Sequence, residues 1–127
     1  MVTEDSEIPR RVLGHHLILE LYGCDADKLN DVQAIRTYLI EATRRSGATI
    51  LDDRFHQFSP HGVSGIIVIA ESHVSIHTWP EHRYAAVDYF SCSTTMNAET
   101  LANELQQFLG AERQHARTIE RGLIDDE

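Results

Sequence analysis

The sequence predicts an α+β fold: a two-layer sandwich in which helices cover one face of an antiparallel sheet. Two segments with one-faced helical periodicity are separated by strand-like runs that meet through short turn signals, which favours hairpins over parallel crossovers. A chain of 127 residues, 42% of them hydrophobic, supports one modest core and so a single domain spanning residues 1–127. No repeat or low-complexity segment divides it.

Residues 1–12 are polar and contain Pro9, so they read as a loose N-terminal arm. Leu13 to Tyr22 is dense in apolar residues and ends at Gly23, Asp25 and Asp27, the pattern of a strand running into a turn. Val32, Ile35, Leu39 and Ala42 then recur at helical spacing, with Arg44 and Arg45 in the last turn and Gly47 beyond it as a cap. Residues 48–58 and 63–70 read as two further strands joined by a turn at Pro60 and Gly62. Residues 84–92 make another strand, Asn97 caps a helix whose Leu101, Leu105 and Phe108 share a face, and residues 113–120 close the sheet. The order is β-α-β-β-β-α-β.

The strand VSGIIVIA at 63–70 carries apolar residues on both faces, as a strand covered on both sides does. Two helices cover one sheet face, so the other needs a partner, and a second copy of the chain is the simplest one. The expected assembly is a homodimer whose sheets pack together as αββα. A chain this short also encloses a large pocket poorly by itself, which points to active sites at the dimer interface.

The formal net charge of −9 argues against nucleic acid as a partner, because phosphate binding needs a basic face. Cys24 and Cys92 are too few for a disulfide framework, the N-terminus has no apolar leader, and no run approaches a membrane span. The expectation is a cytoplasmic protein with no membrane association.

Chemistry concentrates in residues 58–92, where Glu71, Ser72, His73, Ser75, His77, Trp79 and Glu81 follow directly on the most apolar strand. Each alone fits a turn or surface position, but packing does not require so many together. A helix would place His73 and His77 on one face to bind a metal with His82 or Glu81. The β-branched neighbours favour a strand instead, and no metal is expected. Gly62-Val63-Ser64-Gly65 approaches a nucleophile elbow, but Ile66 stands where its last glycine belongs.

The run AESHVSIHTWPEHRYAAVDYFSC closely resembles the signature of the short bacterial and archaeal S-adenosylmethionine decarboxylase proenzymes, and a looser likeness extends from GHHLILELYGCD to IERG. The resemblance implies a zymogen that cuts its own Glu71–Ser72 bond, giving fragments 1–71 and 72–127, with Ser72 converted to a covalent pyruvoyl cofactor. By that chemistry the Ser72 hydroxyl attacks the Glu71 carbonyl to form an ester, the Ser72 α-proton is removed and the carboxylate leaves. Dehydroalanine then hydrolyses to pyruvoyl and ammonia.

The same resemblance makes His77 the base for that proton and Ser64 the hydroxyl that stabilises the cyclic intermediate. It makes Cys92 the proton donor in decarboxylation and places Phe58 against adenine, Glu81 at the ribose hydroxyls and Trp79 in the pocket lining. The implied activity is that of a carboxy-lyase making decarboxylated S-adenosylmethionine for spermidine synthesis. Arg83, where relatives commonly carry glycine, and the Asp52-Asp53 pair depart from the pattern. A pyruvoyl-dependent arginine or ornithine decarboxylase, or an unprocessed binding domain, are the alternatives. His73 receives no role, and Cys24 reads as a small buried hydrophobe.

Overall fold

The structure, a computed structural model, describes residues 10–92 and 97–125. Strand β1 (Arg10–Tyr22) leads through a short helix α1 (Ala26–Leu29) into helix α2 (Val32–Arg45). Strands β2 (Thr49–Gln57), β3 (Val63–Ala70), β4 (Ser72–Trp79) and β5 (Tyr84–Ser91) follow, then helix α3 (Ala98–Leu109) and strand β6 (Arg113–Asp125). The strands form one six-stranded sheet in the order β2-β3-β4-β5-β1-β6, every neighbour antiparallel. The α+β sandwich is as predicted.

The element order differs at one place that matters. Ser72–Trp79 is a strand of its own, so the order is β-α-α-β-β-β-β-α-β. Val74, Ile76 and Thr78 face the core while His73, Ser75 and His77 take the opposite face, which is the period of a strand. The predicted arm also ends earlier, because Arg10–Val12 already pairs with Leu123–Asp125, and β6 runs past residue 120 to Asp125. Residues 1–9 lie outside the described residues.

The core lies between the sheet and the two longer helices. Leu17, Leu19 and Leu21 of β1, Ile67 and Ile69 of β3, Val74 and Ile76 of β4, and Val87 and Tyr89 of β5 point to one side. Ile35, Leu39 and Ala42 of α2 cover them, as the helical spacing predicts. On α3 the buried positions are Leu101, Ala102, Leu105 and Leu109. Phe108, predicted on that face, is partly buried against the core at its edge and stacks on Tyr38 with ring centroids 4.1 Å apart. Asp31 caps α2 by accepting from the Ala34 amide, and Asn97 caps α3 by accepting from the Thr100 amide. The buried Tyr89 hydroxyl is satisfied by Ser46 Oγ at 3.2 Å.

The second sheet face is uncovered in one chain. Ile66 and Val68, the residues that made β3 look two-sided, are 41% and 40% exposed there. Beneath β2, Gly65 leaves room for the Phe55 ring: a Cβ at residue 65 would fall 2.1 Å from two of its ring carbons. Gly65→Ala is therefore expected to expel Phe55 and cost about 1–3 kcal/mol in urea denaturation.

Candidate active site

The β3–β4 hairpin holds the bond of interest at its tip. Ile69 and Ser72 are the last paired residues, so Ala70 and Glu71 form a two-residue turn and the Glu71–Ser72 bond leaves it. Ser72 is also paired to Ser91 on β5, which fixes its backbone from both sides. Its side chain shares the parity of Val74 and Ile76 and points toward the core. There the Ser72 Oγ is buried and has no hydrogen-bond partner among the described residues. A buried hydroxyl without a partner costs free energy; Thr43 Oγ1 on α2 shares that state, but of the two it is Ser72 Oγ that adjoins the bond of interest. Cys92 follows Ser91 directly and its thiol is exposed.

The other end of β4 carries a second group. Ser64 and His77 are direct cross-strand partners, and Ser64 Oγ lies 2.8 Å from His77 Nδ1. Trp79 is two residues further on, its ring 6.5 Å from that of His77 and 5.2 Å from that of Tyr84. Phe58 follows β2 and donates its amide to the Gly62 carbonyl at 2.8 Å, its exposed ring edge-on to His56. Glu81 sits in the 3-10 turn Pro80–His82 with Oε1 3.0 Å from His61 Nε2. Buried Thr78 pins this end by donating to the Leu29 carbonyl at 2.7 Å and accepting from the Val63 amide at 2.9 Å.

Ser72 and Cys92 are thus at one end of the sheet, and Ser64, His77, Trp79, Phe58 and Glu81 at the other. His77 is five residues from Ser72 along an uninterrupted strand, about 16 Å at 3.3 Å per residue. Its parity is opposite as well, so within one chain the two side chains leave opposite faces. Each end holds only half of the predicted site.

A third cluster, which sequence reasoning missed apart from leaving His73 unassigned, occupies the middle of the open face. Asp88 accepts from Ser75 Oγ in a short hydrogen bond, and its Oδ2 lies 2.8 Å from His16 Nε2 and 3.5 Å from His73 Nε2. Burial alone would raise the Asp88 carboxyl, but bonds from Ser75 and His16 and the two imidazoles outweigh it and hold it below its ordinary value. The group stays an anion. Arg121 Nη1 approaches His16 Nδ1 at 3.2 Å, and because arginine only donates, that nitrogen accepts and the His16 proton sits on Nε2, facing Asp88.

The ligating atoms of His16, His73 and Asp88 lie within 4.8 Å of one another, and here they are engaged with each other by hydrogen bonding and charge. The helical His73–His77 arrangement does not form, since four residues along a strand separate them by about 13 Å.

The departures from the motif at Arg83 and Asp53 each have a partner elsewhere in the fold. Arg83 takes the left-handed φ of 52° that a glycine would take more easily, and its Nε donates to the Cys24 carbonyl at 2.7 Å. Asp53 is held by Arg36 Nε at 2.7 Å. Cys24 is buried with its thiol 3.6 Å from the Leu21 carbonyl, and burial pushes its pKa up to about 11, so it is an inert packing group.

Comparison with known proteins adds a consistent set of likenesses. The family model described as S-adenosylmethionine decarboxylase matches residues 15–122. An S-adenosylmethionine decarboxylase proenzyme of Methanococcus maripaludis is 46% identical over 114 residues, covering 90% of this chain and 93% of that protein. One from Carboxydothermus hydrogenoformans is 46% identical over 115 residues, 91% of each. The crystal structure of the adenosylmethionine decarboxylase from Aquifex aeolicus superposes with a TM-score of 0.84 at 38% identity, covering 92% of this chain and 97% of that one.

Proposed function

The chain belongs to the S-adenosylmethionine decarboxylase family, and from that premise we propose that it is a self-cleaving precursor that splits between Glu71 and Ser72 and then decarboxylates S-adenosylmethionine. The observation that carries this reading is the Ser72 hydroxyl, buried without a partner among the described residues beside the bond at the end of a two-residue turn. A hydroxyl not engaged by the fold is free to attack the preceding carbonyl. The fragments are residues 1–71 and 72–127, and residue 72 becomes a pyruvoyl group.

The Ser64–His77 bond has two possible senses, and only one serves both proposed roles. If His77 Nδ1–H donates to Ser64 Oγ, the Nε2 lone pair is free to take the Ser72 α-proton. The same sense leaves the Ser64 O–H free to donate to the oxyanion formed when Ser72 attacks. When present, the pyruvoyl group supplies a ketone that condenses with the substrate amine and withdraws the electrons released by departing carbon dioxide. Cys92, exposed one residue past the Ser72 partner on β5, is the group that returns a proton to the substrate carbon. Phe58 offers a ring face to adenine, Glu81 a carboxylate to the ribose hydroxyls, and Trp79 an apolar wall.

Because His77 and Ser72 are at opposite ends of β4, we place the complete site between two copies. A homodimer that packs open face on open face about a two-fold axis running across the strands would lay the Ser64–His77 end of one protomer over the Ser72–Cys92 end of the other, and do so twice. It also covers Ile66 and Val68 and gives the αββα arrangement. Among the described residues no helix is long and apolar enough to cross a membrane; with two unpaired cysteines, one of them exposed, we place the protein in the cytoplasm. Its product would feed polyamine synthesis.

Denaturing mass spectrometry tests the reading directly: two fragments are expected, the second with a blocked N-terminus. Carbon dioxide should be released from S-adenosylmethionine and not from arginine or ornithine, and release only from an amino acid would overturn the substrate assignment. Cys92→Ala should still split but lose turnover by about a hundredfold; undiminished turnover would remove Cys92 as the proton donor.

A further inference from the structure

Resting on the proposed scission, a second question arises: what holds residue 72 once its bond to Glu71 is gone. In the uncut chain the two-residue turn ties Ser72 to β3 covalently. After scission it is a chain end, and strand ends fray unless something ties them down. A reacting group displaced by about 1 Å can lose a hundredfold in rate, so fraying there would matter.

His73 and Ser75 are the first two residues of β4 after Ser72 whose side chains lie on the open face, and both converge on Asp88 of β5. Asp88 is in turn tied to β1 through His16 and, beyond it, to β6 through Arg121. The Phe90 ring lies against both imidazoles, 5.3 Å from His16 and 6.1 Å from His73, and under the Arg121 guanidinium at 5.4 Å. Four strands therefore contribute to one carboxylate-centred network, and its last member adjoins the residue that would bear the cofactor.

We propose that this Arg121–His16–Asp88–His73 chain is a clamp on the start of β4, with His73 a positioning residue that keeps residue 72 in register after the chain is cut. The clamp leaves the chemistry of scission to other groups, because before scission the turn and both neighbouring strands already hold Ser72. Its effect should appear only in the cut protein. That contrast separates it from an ordinary stabilising network, which would act equally in both forms.

Hydrogen–deuterium exchange on the full protein, with and without Asp88→Asn, tests this. In a Ser72→Ala background, where the chain stays whole, Asp88→Asn should change exchange of the residue 73–76 amides by less than about twofold. In the cut protein it should speed them about tenfold, and kcat should fall by a similar factor while KM moves less than about twofold. His73→Gln, which removes the imidazole and keeps a donor, should reproduce the kcat effect. Equal exchange changes in the two forms, or none in the cut form, would overturn the clamp while leaving the decarboxylase reading intact. A wild-type protein that gives one full-length mass would overturn that reading, and the clamp with it, since no chain end would exist to hold.

Discussion

Ser72→Ala should yield one uncut chain of 127 residues, with decarboxylation at the background of the assay, a loss of at least about a millionfold. Both effects follow from one atom. Without Oγ no ester can form at the Glu71 carbonyl, so the bond persists, and without the serine there is no precursor for the keto group. The same substitution should stabilise the fold. Ser72 Oγ is buried with no partner among the described residues, so alanine removes the cost of desolvating it and breaks no hydrogen bond. In a His77→Ala background, where the chain is whole whichever residue stands at 72, urea denaturation should show a gain of about 1 kcal/mol. A loss of stability there would mean that the hydroxyl has a structural role, and would weaken the case that it is held in reserve for chemistry.

Periodicity made most of the fold legible before any coordinates. The core face of α2, the cap at Asn97, the β3 strand and its two-sided apolar character all follow from local spacing and turn chemistry, while the C-cap of α2 is Ser46, with Gly47 just beyond it. Where the reading fell short, the reason is also local. Reactive residues fill every open-face position of β4, so the alternation of Val74, Ile76 and Thr78 beneath them was masked by polar neighbours and a strand went uncounted. On α3 the buried set also includes Ala102 and Leu109, while Phe108 lies at the core's edge, where Tyr38 offers its ring a stacking partner.

The candidate residues themselves were legible from the motif, but their grouping was not. Ser72 and His77 lie close in sequence, which suggests a shared site; in an extended strand that spacing is a separation, and its odd count reverses the face. The Asp88 cluster was invisible for the opposite reason. His16, His73, Asp88 and Arg121 are brought together by strand register across β1, β4, β5 and β6, which no local pattern encodes.

Co-expression of two dead chains should restore processing if the site is shared. Ser72→Ala alone lacks the nucleophile, and His77→Ala alone lacks the base, with self-cleavage slowed by about 10²–10⁴. In a hybrid dimer one site combines the intact Ser72 of the His77→Ala chain with the intact His77 of the Ser72→Ala chain, while the other site lacks both. Random pairing gives two hybrids for every pair of homodimers, so about half of the His77→Ala chains should split and none of the Ser72→Ala chains should. Mass spectrometry distinguishes the two, and about a quarter of the wild-type number of sites should turn over substrate. If the site were instead completed within one chain, β4 would have to bring together residues about 16 Å apart, and the hybrid would contain no competent site at all. Mixtures in which every His77→Ala chain stays whole would therefore return His77 to its own protomer and require the start of β4 to leave the sheet during cleavage.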